Sequence, residues 1–284
     1  MDFTAFIVRN MKDYLDWILQ SRWSDIAQND QTVSFKHAHM YYRGQSCINW
    51  PVIAGVFRAP FMDSPYVENE LLRKSTLRLW KELQLYSSYL DKLVFLQHYG
   101  MKTRLIDVTF NPLIALYFAC LADPNNKECD GVVYCGYKGS DNGDKIAELT
   151  AEYIFTHSLY DIDDEIKALS KTHSVHLSEF SKPVLLLPPF NNDRIASQKG
   201  AFIMSPLINL IDKIHVSAFC GSLNKEFSKK IALIPSSCKY ELLKELHALG
   251  IDKGTVFQSI TEKIESIIQE KQWAIERINQ IKLE

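Results

Sequence analysis

Nowhere among the 284 residues is there a run of about 18 apolar residues, so the sequence predicts no membrane-spanning helix and no membrane partner. The start, MDFTAFIVRNMKDYLDW, carries charges where a signal peptide needs its apolar centre, and the expected compartment is the cytoplasm. Paired C-x-x-C spacing is also missing. The six cysteines, Cys47, Cys120, Cys129, Cys135, Cys220 and Cys238, stand far apart, and Cys120 sits within an apolar helical pattern. Buried free thiols are therefore expected rather than disulfides, and no metal site is predicted. There is no surplus of basic charge: 32 Lys and Arg against 34 Asp and Glu give a net charge of -2. That argues against a surface that coats nucleic acid generally and leaves a local basic groove open. No internal repeat or low-complexity tract appears.

What is present is core-forming material, 46% hydrophobic and 12% aromatic, enough for a substantial globular fold. Phe6 to Trp23 carries Ile7, Met11, Tyr14, Leu15, Ile18 and Leu19 at near-helical spacing and predicts an amphipathic helix docked on the core. His39 to Arg43 predicts a short strand. Glu68 to Leu96 predicts one long helix, or two joined near Ser87-Ser88, with Trp80 and Tyr86 as packing groups. Arg73, Lys74, Arg78 and Lys81 read as its solvated face.

Asp130-Gly131 and Val132 to Cys135 predict a turn and a strand, whereas the polar stretch from Lys138 to Phe180, with acids at Asp161 to Glu165, reads as a solvated loop or insertion. Strands follow at Lys182 to Pro189, Ala201 to Met204 and Lys229 to Pro235. A helix from Tyr240 to Leu249 stops at Gly250, and a last helix from Ser259 to about Ile281 gathers Ile260, Ile264, Ile267 and Ile268 on one side.

The most informative stretch is Leu93 to Cys120, LVFLQHYGMKTRLIDVTFNPLIALYFAC. It sets Gln97, His98, Arg104, Asp107 and Thr109 among residues that read as core. Buried polar groups need partners, so these side chains are expected at strand and helix ends, where sites are built. Gly100 predicts a helix C-cap, Thr103 to Val108 a strand, and Asn111-Pro112 the start of a second helix.

Four blocks in order carry a family resemblance. They are Tyr42-Arg43-Gly44-Gln45, Trp50-Pro51 with Phe57-Arg58, Gln97-His98-Tyr99-Gly100, and Thr103 to Thr109 with Asn111-Pro112, Ala115-Leu116 and Phe118-Ala119. Together they resemble the FRG domain, with Tyr42 where the family usually has Phe. A later block, Arg194 to Phe202 with Gln198, Gly200 and Phe202, extends the resemblance over about two thirds of the chain. The domain reading is an N-terminal helix over 1–30, the FRG domain over 31–215, and a strand with a C-terminal helical extension over 216–284.

The order of these blocks is also similar to the NAD-binding layout of ADP-ribosyltransferases. That resemblance implies an α+β fold with a central split, mostly antiparallel sheet and flanking helices. It implies NAD as substrate, with Tyr42, Arg43, Gly44, Gln97, Arg104 and Thr109 around it and His98, Asp107 and Gln198 as catalytic candidates. Arg43 suits a phosphate or ribose because its fork donates parallel hydrogen bonds; Gly44 would let backbone approach the ligand; Asp107 or His98 could take a proton. Gln198 stands where such enzymes carry glutamate. The implied context is a toxin or phage-defence effector acting on a protein, RNA or DNA acceptor, with a neutralising antitoxin or chaperone as partner. The residues leave other readings open: an Arg43–Asp107 ion pair, a core His98, Arg104 covering a sheet edge, Tyr41, Tyr42 and Tyr99 as walls, a non-catalytic nucleotide-binding module, or a nuclease.

Overall fold

Neighbouring tyrosines on one strand separate the two faces of the sheet. In β2 (His39–Gln45), Tyr42 packs edge-on to Trp17 in one core, whereas Tyr41 lies over Gly136, where a side chain would collide with its ring. In the computed structural model the described residues are 4–28, 39–58, 67–122, 128–138, 143–157, 162–187, 193–207, 227–257 and 260–281. The other strands are β1 (Thr4–Ile7), β3 (Leu105–Thr109), β4 (Gly131–Lys138), β5 (Val184–Leu186), β6 (Gly200–Met204) and β7 (Phe227–Ile234). They form one seven-stranded sheet in the order β1-β7-β4-β2-β3-β6-β5. Only β1 and β7 run parallel; the remaining neighbours are antiparallel.

The register shows where the sheet opens. β2 and β4 pair continuously from His39↔Lys138 to Gln45↔Val132, and β3 pairs β6 along its whole length, but β2 and β3 meet only at Tyr42↔Thr109. The sheet is therefore two ladders joined at one point.

The helices are α1 (Met11–Gln28), α2 (Val67–Arg78), α3 (Trp80–Leu83), α4 (Tyr89–His98), α5 (Pro112–Cys120), α6 (Gly143–Thr156), α7 (Ile162–His173), α8 (Asp193–Ser197), α9 (Lys239–Ala248), α10 (Lys253–Phe257) and α11 (Ile260–Ile281). Tyr14 and Trp17 of α1, Leu116 of α5 and Leu242 of α9 form a core over the β2–β4–β7 side. Leu72, Leu93, Leu96, Ile146, Tyr153 and Ile154 bring α2, α4 and α6 over the β3–β6–β5 side. The opposite face is covered by Val52 to Phe57 on Ile106, Val108, Ala201 and Ile203.

The molecule is thus an α+β protein with a mostly antiparallel sheet, flanking helices and a C-terminal helical stretch, and no described helix is long and apolar enough to cross a membrane. The expected domain boundaries at 30/31 and 215/216 lie outside the described residues; β1 and β7 belong to the same sheet as the central strands.

Several expectations are corrected. The first helix starts at Met11 rather than Phe6, because Thr4–Ile7 pairs with Lys230–Leu233, a partner more than 200 residues away that local periodicity cannot reveal. The stretch after Lys138 holds two helices. In α6, Ile146, Leu149, Thr150, Tyr153 and Ile154 recur at helical spacing and are buried. Trp80 is 62% exposed instead of packed.

Cys47 and Cys129 form a disulfide, contrary to the expected free thiols. The β2–β4 ladder, prolonged by Ile48 N–H donating to Asp130 O at 2.8 Å, brings these two distant residues together. Cys120 and Cys135 are buried free thiols as expected, and burial pushes the Cys120 thiol up to about 12; Cys220 lies outside the described residues.

Candidate functional site

Gln97, His98 and Thr109 are delivered by element ends, whereas Arg43 and Asp107 stand within β2 and β3. Helix α4 starts at Ser88, whose hydroxyl accepts from Asp91 N–H at 2.9 Å, and ends at His98 before Gly100 turns back with φ of +89°. The turn leads Met101 to Thr103 into β3 and places Gln97 beside it. Asn111 then caps α5, its Oδ1 accepting from Leu113 N–H at 3.0 Å, with Pro112 at the first helical position.

Where β2 and β3 diverge, a side chain replaces the ladder. Arg43 Nη1 donates to the main-chain carbonyl of Asp107 at 2.7 Å. The pair is therefore not the ion pair that sequence reading left open. Arg43 Nε is buried with no hydrogen-bond partner among the described residues, which leaves a donor uncommitted at the cleft. Burial lowers the Arg43 pKa to about 10, partly offset by Asp107, so the guanidinium remains cationic at neutral pH.

The Asp107 carboxylate, on the exposed position of β3, accepts from Gln97 Nε2 at 3.3 and 3.4 Å. Gln97 Oε1 in turn accepts from Thr103 Oγ1 at 2.8 Å, which fixes the amide with its NH₂ toward Asp107. Thr109 is a strut: its hydroxyl donates to Gln198 O at 2.6 Å and accepts from Asn111 N–H at 2.9 Å.

These groups line a two-lobed cleft. The first lobe, about 240 Å³, includes Arg43, Gln97, His98, Asp107 and Gln198; the second, about 210 Å³, includes Tyr42, Gly44, Thr109 and Phe118. Arg43, Asp107, Val108 and Gln198 belong to both. Eight of the nine site residues expected from sequence thus come together; Arg104 does not.

Arg104 is turned into the protein. It pairs through Nε and Nη2 with both carboxylate oxygens of Glu68, at 2.9 and 2.5 Å to Oε2, donates through Nη1 to Pro206 O at 3.1 Å, and is 3% exposed. It is a buried ion-pair partner, not a ligand group. Gly44 is also reassigned, because a Cβ there would run into the carbonyl of Ala115 and the amide of Ala119. Its missing side chain makes room for α5. Of the tyrosines expected as walls, Tyr42 lines the second lobe, Tyr41 is buried over Gly136, and Tyr99 is 72% exposed and packs on Phe95 and His98.

Sequence reasoning missed two cations. Arg58 and Lys102 line the first lobe, Arg58 clamping its own loop through two bonds to Ile53 O at 3.1 and 2.9 Å, and Lys102 lying against Gly55. Arg58 stood inside a quoted motif, which was the available signal; Lys102 lies in a loop without one. With Arg43 they give the cleft three basic side chains against one carboxylate, Asp107, among its described lining residues. Such a cleft suits an anionic ligand, and planar guanidinium groups suit phosphate in particular. No group of three or more His, Cys, Asp or Glu arranged to hold a metal occurs among the described residues.

Fold and site together define an α+β protein with a cationic, single-carboxylate cleft at the opening of its sheet. Residues 38–128 match the FRG domain. The match contains Arg43, Gln97, His98, Asp107 and Thr109, while the block around Gln198 lies beyond it. No curated protein and no solved structure matches the chain.

Proposed function

We propose that this cleft binds NAD as substrate and transfers its ADP-ribosyl group. The observation that carries the reading is the opening between β2 and β3, where Arg43, Arg58 and Lys102 line one lobe with Asp107, the one carboxylate among its described lining residues. The pyrophosphate needs fixed cations; the ribose, which becomes oxocarbenium-like as its bond to nicotinamide breaks, needs one nearby negative charge. Asp107 suits that second role better than Gln198, because an amide has no charge to give. In the step itself the glycosidic electron pair leaves with nicotinamide, an acceptor atom bonds to the ribose carbon, and the acceptor proton passes to His98 or Asp107. A toxin or defence role, with a protein or nucleic-acid acceptor and a neutralising partner, belongs to this reading.

A second reading, nucleotide binding without turnover, is favoured by one observation. Gln198, which the resemblance sets where the transferases carry glutamate, has its amide tied to Val256 O at 3.3 Å. Incubation with adenylate-labelled NAD and cell extract, then nuclease or protease digestion, separates the two. Transfer leaves label in macromolecules, whereas a binding module leaves none and still retains NAD on the protein.

A further inference from the structure

The C-terminal segment reaches the cleft by one short helix. Phe257 of α10 packs edge-on against Tyr117 and Phe118, with ring centroids 6.4 and 5.9 Å apart, and Phe118 itself lines the second lobe. The adjacent Val256 is buried, and its main-chain carbonyl accepts from Ser197 Oγ at 3.0 Å and from Gln198 Nε2 at 3.3 Å. A carbonyl oxygen can only accept. The Gln198 amide therefore turns its NH₂ toward Val256, which directs Oε1, an acceptor, away from that carbonyl, while the second Nε2–H remains a donor.

We infer that Gln198 is a specificity residue that presents a hydrogen-bond acceptor to the cleft, and that the Val256 carbonyl of the C-terminal segment is what positions it. Arg58 and Lys102 line only the first lobe, whereas Gln198 lines both. Gln198 thus stands between the phosphate-binding end and the aromatic end. Oε1 reads a ligand donor, and in a nucleotide the donor next to a phosphate is a sugar hydroxyl. This part rests on the reading that the cleft takes a ribose-bearing nucleotide. It also makes the last part of the chain, well outside the FRG match, a working part of the site.

The test compares ADP with ADP-ribose, which adds ribose hydroxyls to the same phosphates, by calorimetric titration of the full chain. The wild type should bind ADP-ribose more tightly than ADP. Gln198→Met should narrow the ratio of ADP-ribose to ADP affinity about tenfold, the size of one neutral hydrogen bond. Gln198→Glu keeps an acceptor oxygen but has no N–H for Val256, so it should lose the same discrimination. Undiminished discrimination in Gln198→Glu would overturn the positioning role, and undiminished discrimination in Gln198→Met the specificity role.

If the wild type binds neither nucleotide, the nucleotide reading fails, and with it the sugar assignment. The positioning claim is then decided without ligand by exchange of the Gln198 side-chain amide protons in a ¹⁵N-edited spectrum. Slow exchange in the wild type, lost in a folded Phe257→Ala variant, supports the Val256 tether; fast exchange in the wild type overturns it.

Discussion

Arg43 spans the opening between two strands to donate to the Asp107 main-chain carbonyl, so one residue both closes the sheet and lines its cleft. Lysine retains the charge but not the second donor or the planar fork. Arg43→Lys should therefore weaken ADP binding by tenfold or more while the protein still melts cooperatively. Because burial lowers Arg43 to about 10, its charge is complete through neutral pH. Below that value the burial penalty on the charged form is fully present. It is relieved as pH rises toward the ordinary arginine range, where the unfolded chain holds the proton more strongly. Anion affinity should accordingly stay flat from about pH 7 to 9 as far as this group is concerned, and decline above about 10. Titrations with pyrophosphate across that range check both limbs.

Glu68 and Arg104 predict the opposite pattern. Both are buried and paired, and neither lines the cleft. Removing one partner strands the other, so Glu68→Gln should lower stability by about 3 to 5 kcal/mol in denaturant unfolding. Nucleotide affinity of the fraction that remains folded should be unchanged.

Gly44→Ala tests the reassigned glycine. The added methyl would enter the space of the Ala115 carbonyl, which is helix backbone and cannot rotate away. Displacing α5 should cost about 1 to 3 kcal/mol or more, seen as a lower melting temperature. A glycine kept only for ligand approach would show weaker binding at unchanged stability.

The Cys47–Cys129 bridge closes a long loop around most of the FRG match. Cys47→Ser should lose about 2 to 4 kcal/mol relative to oxidised wild type and nothing relative to reduced wild type. Alkylation of unreduced protein followed by peptide mass analysis should leave both of these cysteines unlabelled.

The legible parts of the fold were those with local signals. Asn111-Pro112 marked the start of α5, Gly100 and Gly250 marked helix ends, and the apolar runs marked β5, β6 and β7. Contacts decided over long separations were not legible: the parallel pairing of β1 with β7, the Glu68–Arg104 pair, and the disulfide. For α6 the helical period was present in Ile146, Leu149, Tyr153 and Ile154 but was hidden by polar flanks. The site was largely readable because its residues sit on two neighbouring strands and on the helix and turns that flank their opening. Arg104 misled for a physical reason. A cation beside a site motif looks the same in sequence whether its charge meets a ligand or a buried acid, and here Glu68 lies 36 residues away.

Nicotinamide release by the purified protein tests the central claim most directly. With NAD present, the wild type should release nicotinamide, and Asp107→Asn should reduce the rate by on the order of 10²-fold or more, because the cleft then keeps its cations but has no carboxylate for the ribose. NAD affinity should remain within a few fold in the same variant. Release that proceeds at the wild-type rate in Asp107→Asn would contradict the account.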